Sequence, residues 1–279
     1  MLRTSCLLCS LILLLGLVST GSADLVAHWP MNEGSGNTAA DVVGGHDGTL
    51  KGGVAWAGEG SPMNGNALSF DGAQSGQHET DPGNVNWVDA GTFDVTGGTG
   101  LTLAAWIKPE SFGIGDARVI NKGTSWSSAD IWWMLSTIGD GTALRMRLKT
   151  DDGGPDAGTT TLASENGFLE AGQWQHVAGT YDGSMMRLWV WKPGDALHGE
   201  IVSTAKTGTI AVDPTVTVAI GNNGPGLPGG LSKTFHGAID DVRIYNTALS
   251  QEEIAALIPE PVTIALLGLG GLALLRRRK

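Results

Sequence analysis

The sequence predicts an all-β protein, a jelly-roll sandwich of two antiparallel sheets. Short apolar segments recur along residues 24–258, and clusters of glycine, asparagine, aspartate or proline separate most of them. The chain holds 43 glycines while only 16 % of its residues are charged. That balance suits many short strands on tight turns and is unlike a disordered chain, which needs low hydrophobicity and high net charge. A single stretch, near Ser250–Leu257, reads as helix, and many strands with little helix means sheet packed on sheet.

In chain order the strands are expected at Leu25–Trp29, Ala67–Phe70, Leu101–Ile107, Ile131–Leu135, Leu144–Leu148, Trp174–Thr180, Arg187–Trp191, Thr215–Ile220 and Ala238–Tyr245. Alternation assigns faces. Leu101, Leu103 and Ile107 oppose Trp106, and Leu188 with Val190 oppose Arg187, Trp189 and Trp191. The helix carries its own start signal, a capping box with Ser250 as N-cap and Glu253 three residues on. No internal repeat and no boundary between two cores is visible, so residues 24–258 are expected to form one domain.

Charge is distributed unevenly. The whole chain has a formal net charge of −11, and residues 24–258 hold 27 acids against 12 bases. Such a body repels phosphate backbones, which argues against nucleic acid as a partner, while an acidic surface accommodates hard cations such as calcium. The only cysteines, Cys6 and Cys9, fall in the N-terminal segment. A disulfide scaffold, a zinc–thiolate site and a cysteine hydrolase are excluded for the remainder.

The two ends read as addresses. Arg3, an apolar run Leu7–Val18 and small residues to Ala23 form a secretory pattern, so residues 1–23 are expected to be a cleaved signal peptide. At the other end, residues 259–279 read Pro259-Glu260-Pro261, fourteen uncharged and mostly apolar residues Val262–Leu275, then Arg276, Arg277, Arg278 and Lys279. This order resembles the PEP-CTERM sorting signal, which implies an exosortase-type enzyme as partner and an exported destination in the envelope, outer surface or extracellular matrix. The bases are expected to stay on the cytoplasmic side. Fourteen helical residues rise about 21 Å against a hydrocarbon core of about 30 Å, which suits a transient span. A permanent membrane anchor is the alternative.

Six segments carry a second resemblance: "LVAHWPMNEGSG", "GNALSFDG", "LTLAAWIKP", "QWQHVAGTYDG", "MRLWVW" and "HGAIDDVRIYNTALSQEEIAAL". In this order, from about Leu25 to Leu257, they resemble the laminin G-like domains of the concanavalin A-like lectin/glucanase superfamily. The resemblance implies a concanavalin A-like jelly roll. One departure is the polar stretch Gln74–Asn86, placed where the family reaches its next strand quickly.

Glucanases of the superfamily set a Glu-x-Asp-x-x-Glu group on one strand so that two carboxyls flank a glycosidic bond. No such group occurs here, nor a His-Glu-x-x-His, and the Gly221–Gly230 loop lacks the Lys-Ser/Thr pair that a phosphate loop needs, so no catalytic residue and no enzyme is expected. Two binding chemistries are expected instead. Asp240 alternates in phase with Val242 and Ile244; on a core face it needs either backbone N–H and arginine partners or a structural calcium, with Asp71 and Glu33 as the companion ligands. Related jelly rolls imply the calcium option. Trp126, Trp132 and Trp133 flank a glycine- and serine-rich loop and read either as a platform for sugar rings or as core. The function expected is non-catalytic binding or adhesion, with a polysaccharide or glycan as partner. A structural surface protein is the second reading, and a glycan-active enzyme the third.

Overall fold

A computed structural model describes residues 24–63, 65–72, 86–95, 98–113, 116–124, 130–151, 158–195, 199–224 and 233–259. In chain order the strands begin with β1 (Leu25–Trp29), β2 (Thr38–Ala39), β3 (Gly48–Lys51), β4 (Ala55–Ala57), β5 (Ala67–Asp71) and β6 (Trp87–Thr92). They continue with β7 (Leu101–Pro109), β8 (Arg118–Gly123), β9 (Ile131–Ile138), β10 (Ala143–Thr150) and β11 (Gly158–Ala163). The last are β12 (Gln175–Tyr181), β13 (Met185–Trp191), β14 (Gly199–Ala205), β15 (Thr217–Ile220) and β16 (His236–Tyr245), before helix α1 (Gln251–Ala255).

These strands make two eight-stranded antiparallel sheets. Sheet A runs β14-β13-β12-β7-β16-β5-β4, with β1 also paired to β16, and sheet B runs β11-β10-β9-β8-β15-β6-β3-β2. The all-β sandwich is as the sequence predicts, and all nine expected strands are present. Seven more, β2, β3, β4, β6, β8, β11 and β14, are short, polar or half-exposed, so alternation does not announce them.

The core lies between the sheets. Sheet A supplies Leu101, Leu103, Ala105 and Ile107 of β7 and Met186, Leu188 and Val190 of β13; sheet B supplies Trp133 and Leu135 of β9 and Leu144, Met146 and Leu148 of β10. Each large side chain removed from water contributes roughly 1.5–3 kcal/mol. Packing is tight enough to dictate backbone identity in places. Gly221, at φ +80°, sits against the Phe70 ring, where a Cβ would lie 2.1 Å from a ring carbon.

Strand β16 is bent by a bulge. Asp241 has φ +48°, and on one side β16 changes partner there, from β5 along His236–Ile239 to β1 along Val242–Tyr245. The bulge moves the alternation by one residue. Ile239, Val242 and Ile244 face the core, while Asp240 lies opposite Trp106 on the outer face, not in phase with Val242 as its spacing suggests. Helix α1 begins as expected, with both hydrogen bonds of the Ser250–Glu253 capping box present.

Candidate functional site

The outer face of sheet A is closed by the chain itself. Ile254 of α1 and Leu249 pack on Ala104, Ala178, Trp189 and Tyr245. Beside them Trp106 and Trp174 form a second apolar cluster with Ala67, joined by Met63, Trp191 and Ile258.

The outer face of sheet B has a different character, and β10 sets it. Leu144, Met146 and Leu148 point into the core, so Arg145, Arg147 and Lys149 project to the other side. Register aligns Arg145 with Ser136 and Arg147 with Met134 of β9. Across β9, Ser136 and Met134 face Arg118 and Asn121 of β8. Lys233 arrives from the segment before β16, and its backbone carbonyl accepts the Arg118 N–H. Five of the twelve bases of residues 24–258 therefore gather around one face of an acidic molecule.

Asp116, held at φ +122°, is the anion at their centre. Arg118 Nη1 donates to Asp116 Oδ1 at 2.5 Å, Arg145 Nη2 reaches the same oxygen, and Lys233 Nζ lies 3.7 Å from Oδ2. Among the described residues Asp116 is the one carboxylate within ion-pair distance of these three cations. Arg118 is fully buried and Arg145 nearly so. Burial, followed by the charge of Arg147, pushes both guanidinium groups down to about 9, which leaves them charged at neutral pH. Several kcal/mol of desolvation per buried ion are thus only partly offset by protein partners.

Unfilled hydrogen-bonding groups sit in the same place. Arg118 Nε donates to Asn223 Oδ1 at 2.8 Å, but Arg118 Nη2, Asn223 Nδ2 and both amide atoms of Asn121 are buried without a partner. Buried polar groups are normally satisfied, and such orphans are not confined to this face: Trp106 Nε1 and Trp174 Nε1 beside sheet A and Trp133 Nε1 in the core are also without a hydrogen-bond partner. Lys122 provides the contrast. It is equally buried, yet its Nζ donates to the Phe93, Asp213 and Val216 carbonyls at 2.8 Å each and lies 3.1 Å from Asp94 Oδ1.

Trp132, half-buried on this outer face with Lys149 Nζ 4.8 Å from its ring centroid, supplies an aromatic surface about 13 Å along the strands from Arg145. Trp133 is removed from the sugar-stacking group: it points the other way, is fully buried and belongs to the core. Trp126 lies outside the described residues, as do segment 1–23, Glu260, Pro261, Arg276, Arg277 and Arg278; Pro259 is exposed after α1. The three acids proposed for calcium each have protein partners of their own. Asp240 is fully buried and accepts the Ser61 and Asp241 N–H groups at 2.8 Å. Asp71 accepts a bond from Asn86 Nδ2, and Glu33 accepts the Ala40 N–H at 2.9 Å. Among the described residues no three His, Cys, Asp or Glu side chains form a group able to hold a metal. Arg118, Asn121, Arg145 and Asn223 were not anticipated, although the alternation of Leu144-Arg145-Met146-Arg147-Leu148-Lys149 already puts three bases on one face.

Two other places have less to offer. Ser111 Oγ and His236 Nδ1 are 2.6 Å apart, with His236 Nε2 3.4 Å from Glu110, but the cavity beside them, about 10 Å³, has room for about one water. An open groove of about 450 Å³ is lined by Phe168, Val190, Lys192, Asp195 and Ile201, where Lys192 is already paired with Glu170.

No curated protein matches the chain significantly. Among solved structures, domain 4 of AbnA, a GH43 extracellular arabinanase from Geobacillus stearothermophilus in complex with arabinotriose, is similar with a TM-score of 0.55 and 18% identity, covering 85% of this chain and 99% of that one. The binding domain of botulinum neurotoxin serotype D gives 0.54 at 12% identity, covering 84% of this chain, which spans about half of that domain (51%). The neurotoxin DC binding domain in complex with rat synaptotagmin II gives 0.54 at 13%, with 84% and 51% covered. A laminin G family model, described as concanavalin A-like lectin/glucanases superfamily, matches residues 82–255, most of the chain, and with the two-sheet sandwich around it this chain belongs to that family.

Proposed function

We propose that the protein is an exported, non-catalytic carbohydrate-recognition protein and that the outer face of sheet B is its binding surface. The observation that carries this reading is the asymmetry of the two outer faces. One is covered by the chain's own helix and tryptophans; the other presents the half-buried Trp132 with the partly accessible Arg147, Lys149 and Lys233 on the same side, while Arg118, Asn121 and Asn223 are buried. Sugars need that combination, an apolar plate for their C–H faces and fixed polar groups for their hydroxyls. The similarly folded arabinanase domain holds a short sugar chain, which supports a sugar as ligand.

A glycan panel against wild type, Trp132→Ala and Trp133→Ala tests the reading. Saturable binding that is lost in the first variant, while the second loses stability instead, supports it. Binding to no glycan favours a structural surface protein, and hydrolysis of any polysaccharide restores an enzyme.

Export and sorting rest on the sequence of the two ends. Segment 1–23 would be removed on secretion, and an exosortase-type enzyme would act on tail 259–279 at the membrane. Among the described residues no helix is long and apolar enough to cross a membrane. The intact mass of surface-extracted protein decides the matter: loss of both ends is expected, and an unprocessed mass in the cytosol overturns the export reading.

A further inference from the structure

We propose that one end of sheet B holds a monovalent-cation site that the protein fills from within, the Lys122 ammonium standing where a potassium-sized ion would sit. Four oxygens surround Lys122 Nζ: the Phe93, Asp213 and Val216 carbonyls at 2.8 Å each and Asp94 Oδ1 at 3.1 Å. An ammonium has three protons to donate, so the cage offers more oxygens than a lysine can use, as a cage for a spherical ion does. The neutral amine does not fit, because its lone pair would face one of these oxygens. Lys122 is fully buried and Asp94 nearly so, and Asp94 Oδ1 also accepts the Asp213 N–H at 3.1 Å. The cage is thus fixed by the backbone on all sides.

Strand order explains why the oxygens meet. In sheet B, β15 lies between β8 and β6. Phe93 and Asp94 follow the end of β6, Asp213 and Val216 precede β15, and Lys122 stands on β8 opposite Val218 of β15. Carbonyls released where β6 stops and β15 has not begun converge on one point, and a cation there ties the ends of these strands together. Distances select the ion. Calcium takes about 6–8 oxygens at about 2.3–2.6 Å, and magnesium an octahedron at about 2.0–2.1 Å. Oxygens at 2.8 and 3.1 Å, and so few of them, suit neither. Potassium and ammonium are close in size, and carbonyl oxygens readily replace the hydration shell of potassium. A tethered cation cannot be lost by dilution or chelation, so this end of the sandwich stays closed whatever ions surround the protein.

Thermal unfolding of the full-length protein tests the proposal, with wild type, Lys122→Ala and Lys122→Met compared in choline, lithium, potassium, ammonium and calcium chloride at one ionic strength. Wild type should unfold at the same temperature in each monovalent salt, with or without chelator. Lys122→Ala leaves Asp94 buried without its cation and should lose about 10 °C. Saturable recovery of at least about half of that loss is expected in potassium and ammonium, and none in lithium or choline. Lys122→Met fills the cage with an uncharged chain, so it should lose as much and recover nothing. Equal recovery of Lys122→Ala in every salt, or recovery in none, overturns the ion site, as does a variant that folds in no salt at all. Recovery in calcium alone overturns the monovalent assignment. A Lys122→Met protein as stable as wild type overturns the need for a cation.

Discussion

The outer faces of the two sheets solve opposite problems. Sheet A buries Trp106 completely, and Trp174 and Trp189 almost so, under α1 and neighbouring loops. It behaves as a second core. Sheet B carries on its outer side a row of cationic and amide side chains, of which Arg118, Asn121 and Arg145 are buried while Arg147 and Lys149 stay partly accessible beside Trp132. The difference teaches where to look for function in a sandwich. Apolar clusters lower the free energy of the fold, whereas a partly accessible aromatic ring beside cations is able to meet a ligand.

Substitutions on each face should separate these roles, and the largest effect is expected on sheet A. Trp106→Ala removes a fully buried indole and should cost about 3–5 kcal/mol in denaturant unfolding, with no loss of glycan affinity in the molecules that remain folded. A stability change under about 1 kcal/mol would break the distinction between the faces.

Titration of Asp240 should give the next largest effect. Burial pushes its carboxyl up to about 6, against hydrogen bonds from Ser61 and the Asp241 N–H that pull it down. The folded protein thus holds this proton more tightly than the unfolded chain does. The associated stabilisation is complete below about 3.8 and is lost as pH rises through about 6, a change of about 3 kcal/mol. Unfolding curves from pH 3.5 to 7 should show Asp240→Asn flatter than wild type by roughly that amount; identical curves would contradict it.

Smaller effects follow at the helix and on sheet B. Ser250→Ala removes the cap of α1 and should cost about 1 kcal/mol by the same unfolding assay. Arg147→Gln gives up the Arg147 Nε–Thr161 Oγ1 hydrogen bond but relieves repulsion on Arg118 and Arg145, so stability should change by less than about 1 kcal/mol while glycan affinity falls. Loss of stability comparable to Trp106→Ala would make the cationic face structural.

Much of the sandwich was legible because half-buried strands write their faces into the sequence. Leu101–Ile107 and Met186–Trp191 alternate as they pack, and the Ser250–Glu253 pair announced the helix start. Where the pattern lacked contrast, the reading stopped. Ile131-Trp132-Trp133-Met134-Leu135 is apolar on both faces, so its spacing does not say which tryptophan is inside. The bulge at Asp241 belongs to the pairing of β16 with β7, and it carried Asp240 away from the core phase. The site itself joins Arg118 to Asn223, 105 residues apart, and only register across β8, β9 and β10 assembles it.

Arginine footprinting tests the central claim most directly, because Arg147 on sheet B and Arg187 on sheet A are both partly accessible. Phenylglyoxal labelling of the full-length protein, with and without a saturating glycan chosen from the binding panel and read by mass spectrometry, compares the two faces within one sample. Protection of Arg147 with Arg187 unchanged is the predicted result. Protection of Arg187 with Arg147 still labelled would place the ligand on the face the protein has already covered, and would contradict the account.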